Sequence, residues 1–566
     1  MKRLRWQFLV LLLALIAIGA LLLSQQQAAL PGVEPVNEPI PGGIYSEALI
    51  GSLGRLNPIL DSFNSVDSDV DRLIFSSLVK FDSRGLPHGD LAESWGISQD
   101  GKVYNFSINP NAVWHDGQPV TSDDIIFTAN WLSNDELPVP KDIRTFWKQV
   151  EMKALNDKTL QIRLPEPFSP FLDFLTFGII PKHLLDGLSP SQLMDAPFNI
   201  QPIGSGPFRF RGLNIENGKI TGVVLDAFQD YYQRKPFIDQ FVIRYYPDVA
   251  TALAALEKGE AMGISQVTPE FLPQALKEVG LNLYTGRLPR LSLIYLNLDN
   301  PKMPYFQDQI VRRALMMSIN RRWMIDHLMG GQGIIADSPI FPENWAYYEG
   351  IESIEYSPET AISLLRKAGY TFPSEGGQVR AKDGVPLSFE LVFPEGELYS
   401  AIAEQVRKDW ERLGVQATLK AVPYNELLDK YLEPRTYEAA LVQLDFTRSP
   451  DPDPYPFWHQ SQINGGQNYA QWDDRQVSEY LEQARVLDDY FERVKRYRNF
   501  QVRFASELPA LLLFYPVYTY GVNEQVRGVS IGPIYDPSDR FSNVTSWYLL
   551  TGSSAQVTPT SPPGNQ

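Results

Sequence analysis

Short strand-like and helix-like segments alternate along most of this 566-residue chain, without an internal repeat. Tyr104, Phe106 and Ile108 alternate with polar residues directly after the turn pair Asp100-Gly101, which predicts a half-buried hairpin strand. A second strand of the same kind is predicted over residues 160–164. This alternation favours a mixed α/β protein.

Two helices are predicted from capping signals and apolar periodicity. Ser357 and Pro358 supply an N-cap and a first-turn proline, and Gly369 ends the apolar stripe that follows. A second helix is predicted to run through residues 311–323. We expect its basic side chains to form a solvated face that pairs with neighbouring acids, in preference to an anion site. These side chains are Arg312, Arg313, Arg321 and Arg322.

Composition narrows the classes of function. At roughly 150 residues per domain, the length corresponds to about four domains. The formal charge of -17 disfavours a nucleic-acid partner. The absence of cysteine excludes disulfides, thiolate metal sites, cysteine nucleophiles and lipidated cysteine. The five histidines lack zinc-site spacing, and no nucleophile elbow or phosphate-binding loop occurs, so we predict no cofactor and no metal.

The N-terminus has the layout of an export signal. Lys2, Arg3 and Arg5 precede the uncharged apolar residues 8–23, and a proline-rich tether follows. The apolar run is shorter than the roughly twenty residues of a spanning helix, and its small-residue cleavage site is poor. Cleavage and retention as a membrane anchor are therefore both open. The predicted location is the outer face of the cytoplasmic membrane, periplasmic or extracellular.

The most conspicuous constellation of side chains lies in residues 445–458. It combines carboxylates, one guanidinium and several aromatic rings, and its prolines are expected to hold the chain extended with the side chains pointing outward. Asp451 and Asp453 could form the carboxylate pair of a hydrolase. Alternatively, the acids cap turns and the aromatics belong to the core. In the third interpretation, residues 445–458 form the rim of a binding site for a polar ligand with an apolar body.

The chain resembles the extracytoplasmic solute-binding proteins of ABC importers, in particular the large type that binds oligopeptides, dipeptides or nickel. The resemblance covers about residues 42–528 and depends on five segments in the expected order. These are residues 91–124 with Trp114-His115-Asp116-Gly117, the turn Ile203-Gly204-Ser205-Gly206-Pro207-Phe208, Tyr295-Leu296-Asn297, residues 311–321, and the helix at residues 357–370.

This resemblance implies a periplasmic-binding-protein-like α/β fold with two lobes and an additional inserted α/β domain. Independently of the resemblance, residues 1–40 are expected to be the signal or anchor and its tether, and the Ser/Thr/Pro/Gly-rich residues 551–566 a disordered tail. Lobe I would be discontinuous, with residues 41–58, 199–287 and 507–550. The extra domain would take residues 59–198, and lobe II residues 288–506. Such proteins close their lobes around a ligand, and the permease recognises the closed form.

One position departs from the family pattern. Peptide binders commonly place an Asp three residues before the acidic residue of an Asp-Pro or Glu-Pro pair, where it meets the ligand's α-amino group. Here Arg448 stands three residues before Asp451. We expect Asp451, or secondarily Asp445, to supply that carboxylate instead. The other candidate ligand-binding residues are Tyr45, Phe446, Arg448, Asp453, Tyr455 and Trp458.

The sequence thus predicts a binding protein and not an enzyme. It would capture an oligopeptide-like solute, deliver it to the membrane subunits of an ABC permease, and act as a monomer. Some family members bind oligosaccharides, so a neutral solute remains the main alternative. An exported carboxylate-dependent hydrolase is the less favoured one.

Overall fold

The computed structural model describes residues 39–374 and 376–550. The predicted signal at residues 8–23 and the predicted tail at residues 551–566 lie outside the described residues. No helix in the described ranges is both long and apolar enough to span a bilayer.

The helices are numbered in chain order. They are α1 (Ser65–Ile74), α2 (Ser122–Leu132), α3 (Lys141–Trp147), α4 (Lys182–Leu185), α5 (Pro190–Met194), α6 (Val249–Glu257), α7 (Leu272–Ala275), α8 (Gln309–Ser318), α9 (Arg321–Leu328), α10 (Pro358–Lys367), α11 (Glu397–Leu413), α12 (Tyr424–Glu426), α13 (Tyr455–Trp458), α14 (Arg475–Val486) and α15 (Tyr490–Glu507). A π-helix follows α12 at Leu427–Leu432, and short 3-10 helices include Ser169–Leu175 and Pro537–Phe541.

The strands are β1 (Ile44–Ile50), β2 (Val79–Phe81), β3 (Pro87–Gly89), β4 (Ala92–Ile97), β5 (Val103–Ile108), β6 (Glu151–Asn156), β7 (Thr159–Arg163), β8 (Phe208–Glu216), β9 (Lys219–Ala227), β10 (Gln240–Tyr246), β11 (Gly263–Ile264), β12 (Leu281–Arg287), β13 (Arg290–Leu296), β14 (Gly333–Ile335), β15 (Ala381–Lys382), β16 (Val385–Pro386), β17 (Ser388–Pro394), β18 (Gln416–Val422), β19 (Ala439–Asp445), β20 (Ala510–Asn523), β21 (Val526–Arg527) and β22 (Tyr548–Leu549).

Twelve strands form the main sheet, in the order β18-β17-β19-β13-β20-β11-β1-β10-β9-β8, with β12 and β14 also paired to β20. We call β1 and β8–β12 the first half of this sheet, and β13, β14 and β17–β19 its second half. The N-terminal part of β20 pairs with β13, and its C-terminal part pairs with β11 and β12. The long strand β20 therefore runs through both halves.

Pro516 lies in β20 at the point where its neighbours change. Residues up to Phe514 pair with β13, and residues from Val517 onward pair with β12. Proline has no N–H to donate to a ladder, so it is tolerated where regular pairing is interrupted. Pro516 and Val517 are also less buried than most of their neighbours in the strand. Pro516 thus marks the change of partners along β20, while β14 pairs with residues 514–516 on the other edge of that strand.

A separate four-stranded sheet has the order β4-β5-β7-β6. It carries both predicted hairpin strands, because residues 103–108 pair with β4 and residues 159–163 pair with β6. Its buried side chains belong to the same hydrophobic cluster as those of β1, β8 and β10. The second half of the main sheet has its own two clusters, one on each side. The predicted domain boundaries remain a prediction.

The helix predicted after Ser357 is confirmed as α10, with Gly369 following it at φ 92°. The single helix predicted over residues 311–323 is wrong, because the chain leaves helical geometry at Ile319 and Asn320 caps a new helix, α9. Two of the four arginines also differ from the predicted solvated face, since Arg312 and Arg321 are each 5% exposed. Both donate to buried carbonyl groups, because they lie on the inward sides of their helices. The expected pairing with acids is found for Arg313 with Glu352 and for Arg321 with Asp337.

Two of the segments that carried the family resemblance contact each other. The imidazole of His115 lies against the turn at residues 203–206, with its Nδ1 3.1 Å from the Gly204 N–H and its Nε2 3.1 Å from the Gly206 carbonyl. A Cβ atom added at Gly204 would come within 2.0 Å of the Ile74 carbonyl oxygen. Only glycine allows this close approach of the turn to the end of α1.

Candidate functional site

Residues 445–458 begin at the end of β19 and contact three other parts of the chain. The Arg448 N–H donates to the Tyr535 carbonyl (2.8 Å), and the Pro450 carbonyl accepts from the Asn344 side chain (3.1 Å). The Asp451 N–H donates to the Asp173 carboxylate at 3.1 Å. We call residues 528–550, which follow β21, the C-terminal segment. Residues 445–458 therefore lie where the second half of the main sheet meets residues 169–175 and this C-terminal segment.

The segment is not extended throughout, which corrects the expectation drawn from its prolines. Asp445 accepts a hydrogen bond from the Thr447 N–H (2.9 Å), and Arg448 then adopts φ 63°, which is uncommon for a residue with a side chain. Tyr455 begins the helical turn α13, in which Pro456 occupies an early position that proline tolerates. The two turns direct side chains inward as well as outward.

The Arg448 side chain bridges two distant acids. Its Nε lies 3.0 Å from Asp536, its Nη1 lies 3.3 Å from Asp61, and its Nη2 donates to the Ser68 hydroxyl at 2.6 Å. Asp61 comes before α1, and Asp536 lies in the C-terminal segment. Arg448 therefore pairs with carboxylates of the protein.

An acidic group surrounds this guanidinium. Burial raises the pKa of Asp61, although Arg448 opposes the shift. Asp71, on α1, is 3% exposed, and neither of its carboxylate oxygens accepts a well-formed hydrogen bond within the described structure. Burial, together with the carboxylates of Asp61 and Asp67, raises its pKa well above the ordinary range. The site therefore holds more carboxylates than cations.

Asp451 forms a buried ion pair with Arg493, at 2.8 Å. The same guanidinium nitrogen of Arg493 lies 3.1 Å from the Tyr497 hydroxyl. Burial raises the pKa of Asp451, and Arg493 opposes this rise. Burial and the nearby Asp451 carboxylate raise the pKa of Asp173 well above its usual value. Asp451 was our first candidate for a ligand's ammonium group, and the protein's own arginine already occupies it.

Asp453 is also paired, with the Nε of Arg485 at 2.7 Å. The Arg485 guanidinium lies 3.9 Å from the ring centre of Tyr455, which stacks on His459. It also faces Phe168 at 5.4 Å. Asp453 and Tyr455 therefore belong to a charged and aromatic contact between α14 and the segment before residues 169–175.

Asp445 and Phe446 lie nearer the surface. Asp445 is exposed and pairs with Arg290 at 3.0 Å, across the β13–β19 ladder. Phe446 is partly buried, with its ring centre 5.2 Å from that of Phe341 and 4.9 Å from that of Phe457. Of the two proposed carboxylates, Asp445 is therefore the more accessible.

Two predicted pocket walls are core residues instead. Tyr45 is fully buried, and its hydroxyl bonds to Glu47 and to Tyr520. Trp458 is 1% exposed and packs edge-on against Phe504 at 4.7 Å, because the helical turn α13 points it into the second half of the molecule. These positions correct the assignment of both residues to a ligand surface.

Several residues of the site cannot be recognised from the sequence around them. The one available hint was the run of acids on α1, where Asp67, Asp69 and Asp71 occupy every second position and are all nearly buried. The other residues of the site can be identified only from their contacts with residues far away in the chain. They are Asp61, Ser68, Asp173, Arg287, Arg485, Arg493, Tyr535 and Asp536. No group of three or more His, Asp or Glu side chains in the described ranges is placed to hold a metal ion.

Comparisons with known proteins all point to one family of binding proteins. Residues 87–467 match the family model for bacterial extracellular solute-binding proteins, family 5 middle. The oligopeptide-binding protein AppA of Bacillus subtilis strain 168 is 26% identical over 518 residues, which cover 89% of this chain and 91% of that protein. The dipeptide-binding protein of Escherichia coli K12 is 27% identical over 477 residues, which cover 80% and 85%.

Solved structures show the same likeness. The structure of Bacillus subtilis AppA in complex with a nonapeptide has a TM-score of 0.66 and 25% identity, and the match covers 91% of this chain and 100% of that one. HbpA2 of Haemophilus parasuis has a TM-score of 0.76 at 23% identity, with 90% and 100% covered. These likenesses confirm the predicted fold class, an α/β two-lobe arrangement of the periplasmic-binding-protein type.

Proposed function

Because the chain belongs to the bacterial extracellular solute-binding proteins of family 5, we propose that it captures an oligopeptide-like solute and delivers it to the permease of an ABC importer. The family binds solutes and does not catalyse reactions, which confirms the prediction of a binding protein and removes the hydrolase alternative. The arginine pairs of Asp451 and Asp453 agree with this, since both carboxylates are engaged.

The match over residues 87–467 carries the proposal. Relatives that this chain matches over most of their length are named for oligopeptides and dipeptides, and one was solved with a nonapeptide. An oligopeptide therefore fits the chain better than an oligosaccharide. In the proposed lobe assignment, the contacts of Arg448 with Asp61 and Asp536 join lobe II to the extra domain and to lobe I. Such contacts belong to a closed state.

Closure would proceed as a shift between two states. Interactions made only when the lobes meet stabilise the closed form, and a bound solute adds to them. The permease would then recognise the closed form. The finer cellular details belong to the same proposal: export through the N-terminal segment, its retention as an anchor in a chain without cysteine, and a monomeric binding unit.

Mass spectrometry of solute extracted from the exported protein tests the proposal. Peptides in stoichiometric amount are the expected result. Recovery of an oligosaccharide, with no peptide, would favour the neutral-solute alternative. N-terminal sequencing of the same preparation separates a cleaved signal from a retained anchor, because only an anchor leaves residues 8–23 attached.

A further inference from the structure

Arg287 lies at the crossing between the two halves of the main sheet. It is the last residue of β12, and β13 begins three residues later at Arg290. Its carbonyl accepts a hydrogen bond from the Ile534 N–H of the C-terminal segment, and the residue is 3% exposed. It is therefore buried at a position that the two halves share.

The guanidinium of Arg287 is only partly satisfied. Its Nη1 donates to the Leu288 carbonyl at 3.3 Å, but its Nε and Nη2 have no hydrogen-bond partner within the described structure. None of the described carboxylates forms an ion pair with it. Burial lowers the pKa of Arg287, and the nearby Tyr535 and Glu343 oppose this shift. Its flat face lies 4.2 Å from the ring centre of Phe341. Arginine stays charged in proteins, so within the described structure this charge is buried without an ion-pair partner.

The other buried arginines are satisfied differently. Arg540 pairs with Glu47 and Asp69, and Arg493 pairs with Asp451. Arg312 and Arg321 donate to buried carbonyl groups. In the described residues, Arg287 alone among the arginines has two guanidinium nitrogens that are both buried and unpartnered.

The two free nitrogens are neighbours on one edge of the guanidinium. Nε–H and one Nη2–H point the same way from that edge, which is a geometry that matches the two oxygens of a carboxylate. The opposite edge is the one bonded to Leu288. The unoccupied part of Arg287 is therefore the part that recognises a planar anion.

We propose that Arg287 receives a carboxylate group of the solute through its free Nε–Nη2 edge. The inference rests on the proposed function and specifies the chemistry of its ligand: a solute with at least one carboxylate, such as a peptide with a free C-terminus. Phe341, which faces the guanidinium, also packs edge-on against Phe446 at 5.2 Å. Through Phe341, the Arg287 guanidinium is thus one aromatic contact away from the candidate site at residues 445–458.

The position of Arg287 also couples closure to binding. Phe341 belongs to the second half of the molecule, whereas Tyr535, whose ring centre lies 5.8 Å from the guanidinium, belongs to the C-terminal segment. If the second half of the molecule closes onto the C-terminal segment without a solute, the Arg287 guanidinium is buried with no ion-pair partner. Burying an unpaired charge is strongly unfavourable. A solute carboxylate removes that penalty. The empty protein is thereby biased toward an open state, and the loaded protein toward a closed one.

The first test needs no solute. The chain has no cysteine, so Ile215→Cys and Tyr424→Cys, at two exposed positions, can carry a fluorescent donor and acceptor. Arg287→Met should raise the ratio of closed to open molecules at least about tenfold, since the buried charge is gone. The matched control is Arg380→Met. Arg380 is also buried, and it stacks at 4.2 Å on Phe372, but its Nε and Nη1 donate to carbonyl groups. An unchanged ratio in the Arg287 variant overturns the proposal.

The second test uses synthetic peptides, from dipeptides to nonapeptides, each supplied as a free acid and as the C-terminal amide. The wild-type protein should retain the free acids about 30-fold better than the amides, which is the scale of losing one partner of a buried charge pair. Arg287→Lys keeps the charge but lacks the two-pronged edge, and should lose most of that preference. Equal retention of acids and amides, or an undiminished preference in the lysine variant, refutes the carboxylate assignment.

Two further outcomes are informative. Displacement of bound peptide by millimolar inorganic phosphate, but not by millimolar acetate, would assign the edge to another anion and overturn the carboxylate proposal. If the protein retains no peptide in either form, the proposed peptide function fails. The Arg287 proposal is then decided by the solute-free measurement alone, in which a tenfold shift supports it and no shift refutes it.

Discussion

The Arg448 guanidinium lies 3.3 Å from the Asp61 carboxylate, although 387 residues separate them in the chain. The same side chain reaches Asp536 at 3.0 Å. Arg448 follows the last strand of the second half, and Asp61 precedes α1. The pair therefore connects parts of the molecule that the proposed closing motion would bring together.

We expect Arg448→Gln to weaken the closed state by about 1 kcal/mol, since the Arg448 side chain is 41% exposed and solvent screens the pair. The closed fraction of a donor–acceptor labelled protein measures this effect. High salt should produce a similar shift in the wild type and a smaller one in the variant. Arg290→Gln is the control, because its pair with Asp445 lies within one half of the sheet. An equal effect of both variants would argue against a connecting role.

Asp451→Asn should lower the free energy of unfolding by about 3 kcal/mol, because it leaves the buried Arg493 without its carboxylate. The double variant Asp451→Asn/Arg493→Met should recover much of this loss, since no unpaired charge remains. Urea denaturation measures both effects. A variant of unchanged stability that no longer binds solute would instead support the earlier assignment of Asp451 to a ligand's ammonium group.

Asp173 should make stability depend on pH. Burial and the Asp451 carboxylate raise its pKa, while Arg493 and the Asp451 N–H oppose the rise. A carboxyl group whose pKa is higher in the folded state binds more protons there, so its contribution is present at low pH and is lost as pH rises through the folded pKa. Asp173→Asn should remove this component and stabilise the protein at neutral pH by on the order of 1 kcal/mol. Chemical denaturation across the acidic range checks the slope, and parallel curves for variant and wild type would contradict it.

His115 should act with the opposite sign. Burial lowers its pKa to about 4, and its ring contacts Gly204 and Gly206. Between this value and the unfolded pKa of about 6.5, the unfolded chain binds more protons, so stability falls as pH drops through this window. The loss reaches at most about 3 kcal/mol. His115→Gln should be less stable at neutral pH but should show a flatter profile between roughly pH 6.5 and pH 4. Denaturation midpoints at several pH values test the difference.

Local signals determined several elements of this protein from the sequence alone. Ser357, Pro358 and Gly369 define α10, and Asp100-Gly101 defines the turn before β5, because capping and turn conformations depend on a few adjacent residues. The mixed α/β class and the family followed from the order of such segments. The residues of interest at 445–458 were also visible, because their composition is unusual.

Tertiary structure decided what those residues contact. The sequence could not show that Arg448 would meet Asp61 and Asp536, that Asp451 would be held by Arg493, or that Trp458 would turn into the core. These outcomes depend on side chains brought together from segments up to hundreds of residues apart. Arg287 is the clearest case, since two of its guanidinium nitrogens are buried and have no hydrogen-bond partner among the described residues. A buried charge becomes recognisable as unpaired only when the whole chain has folded around it, because burial and partnering are properties of packing and not of sequence neighbours.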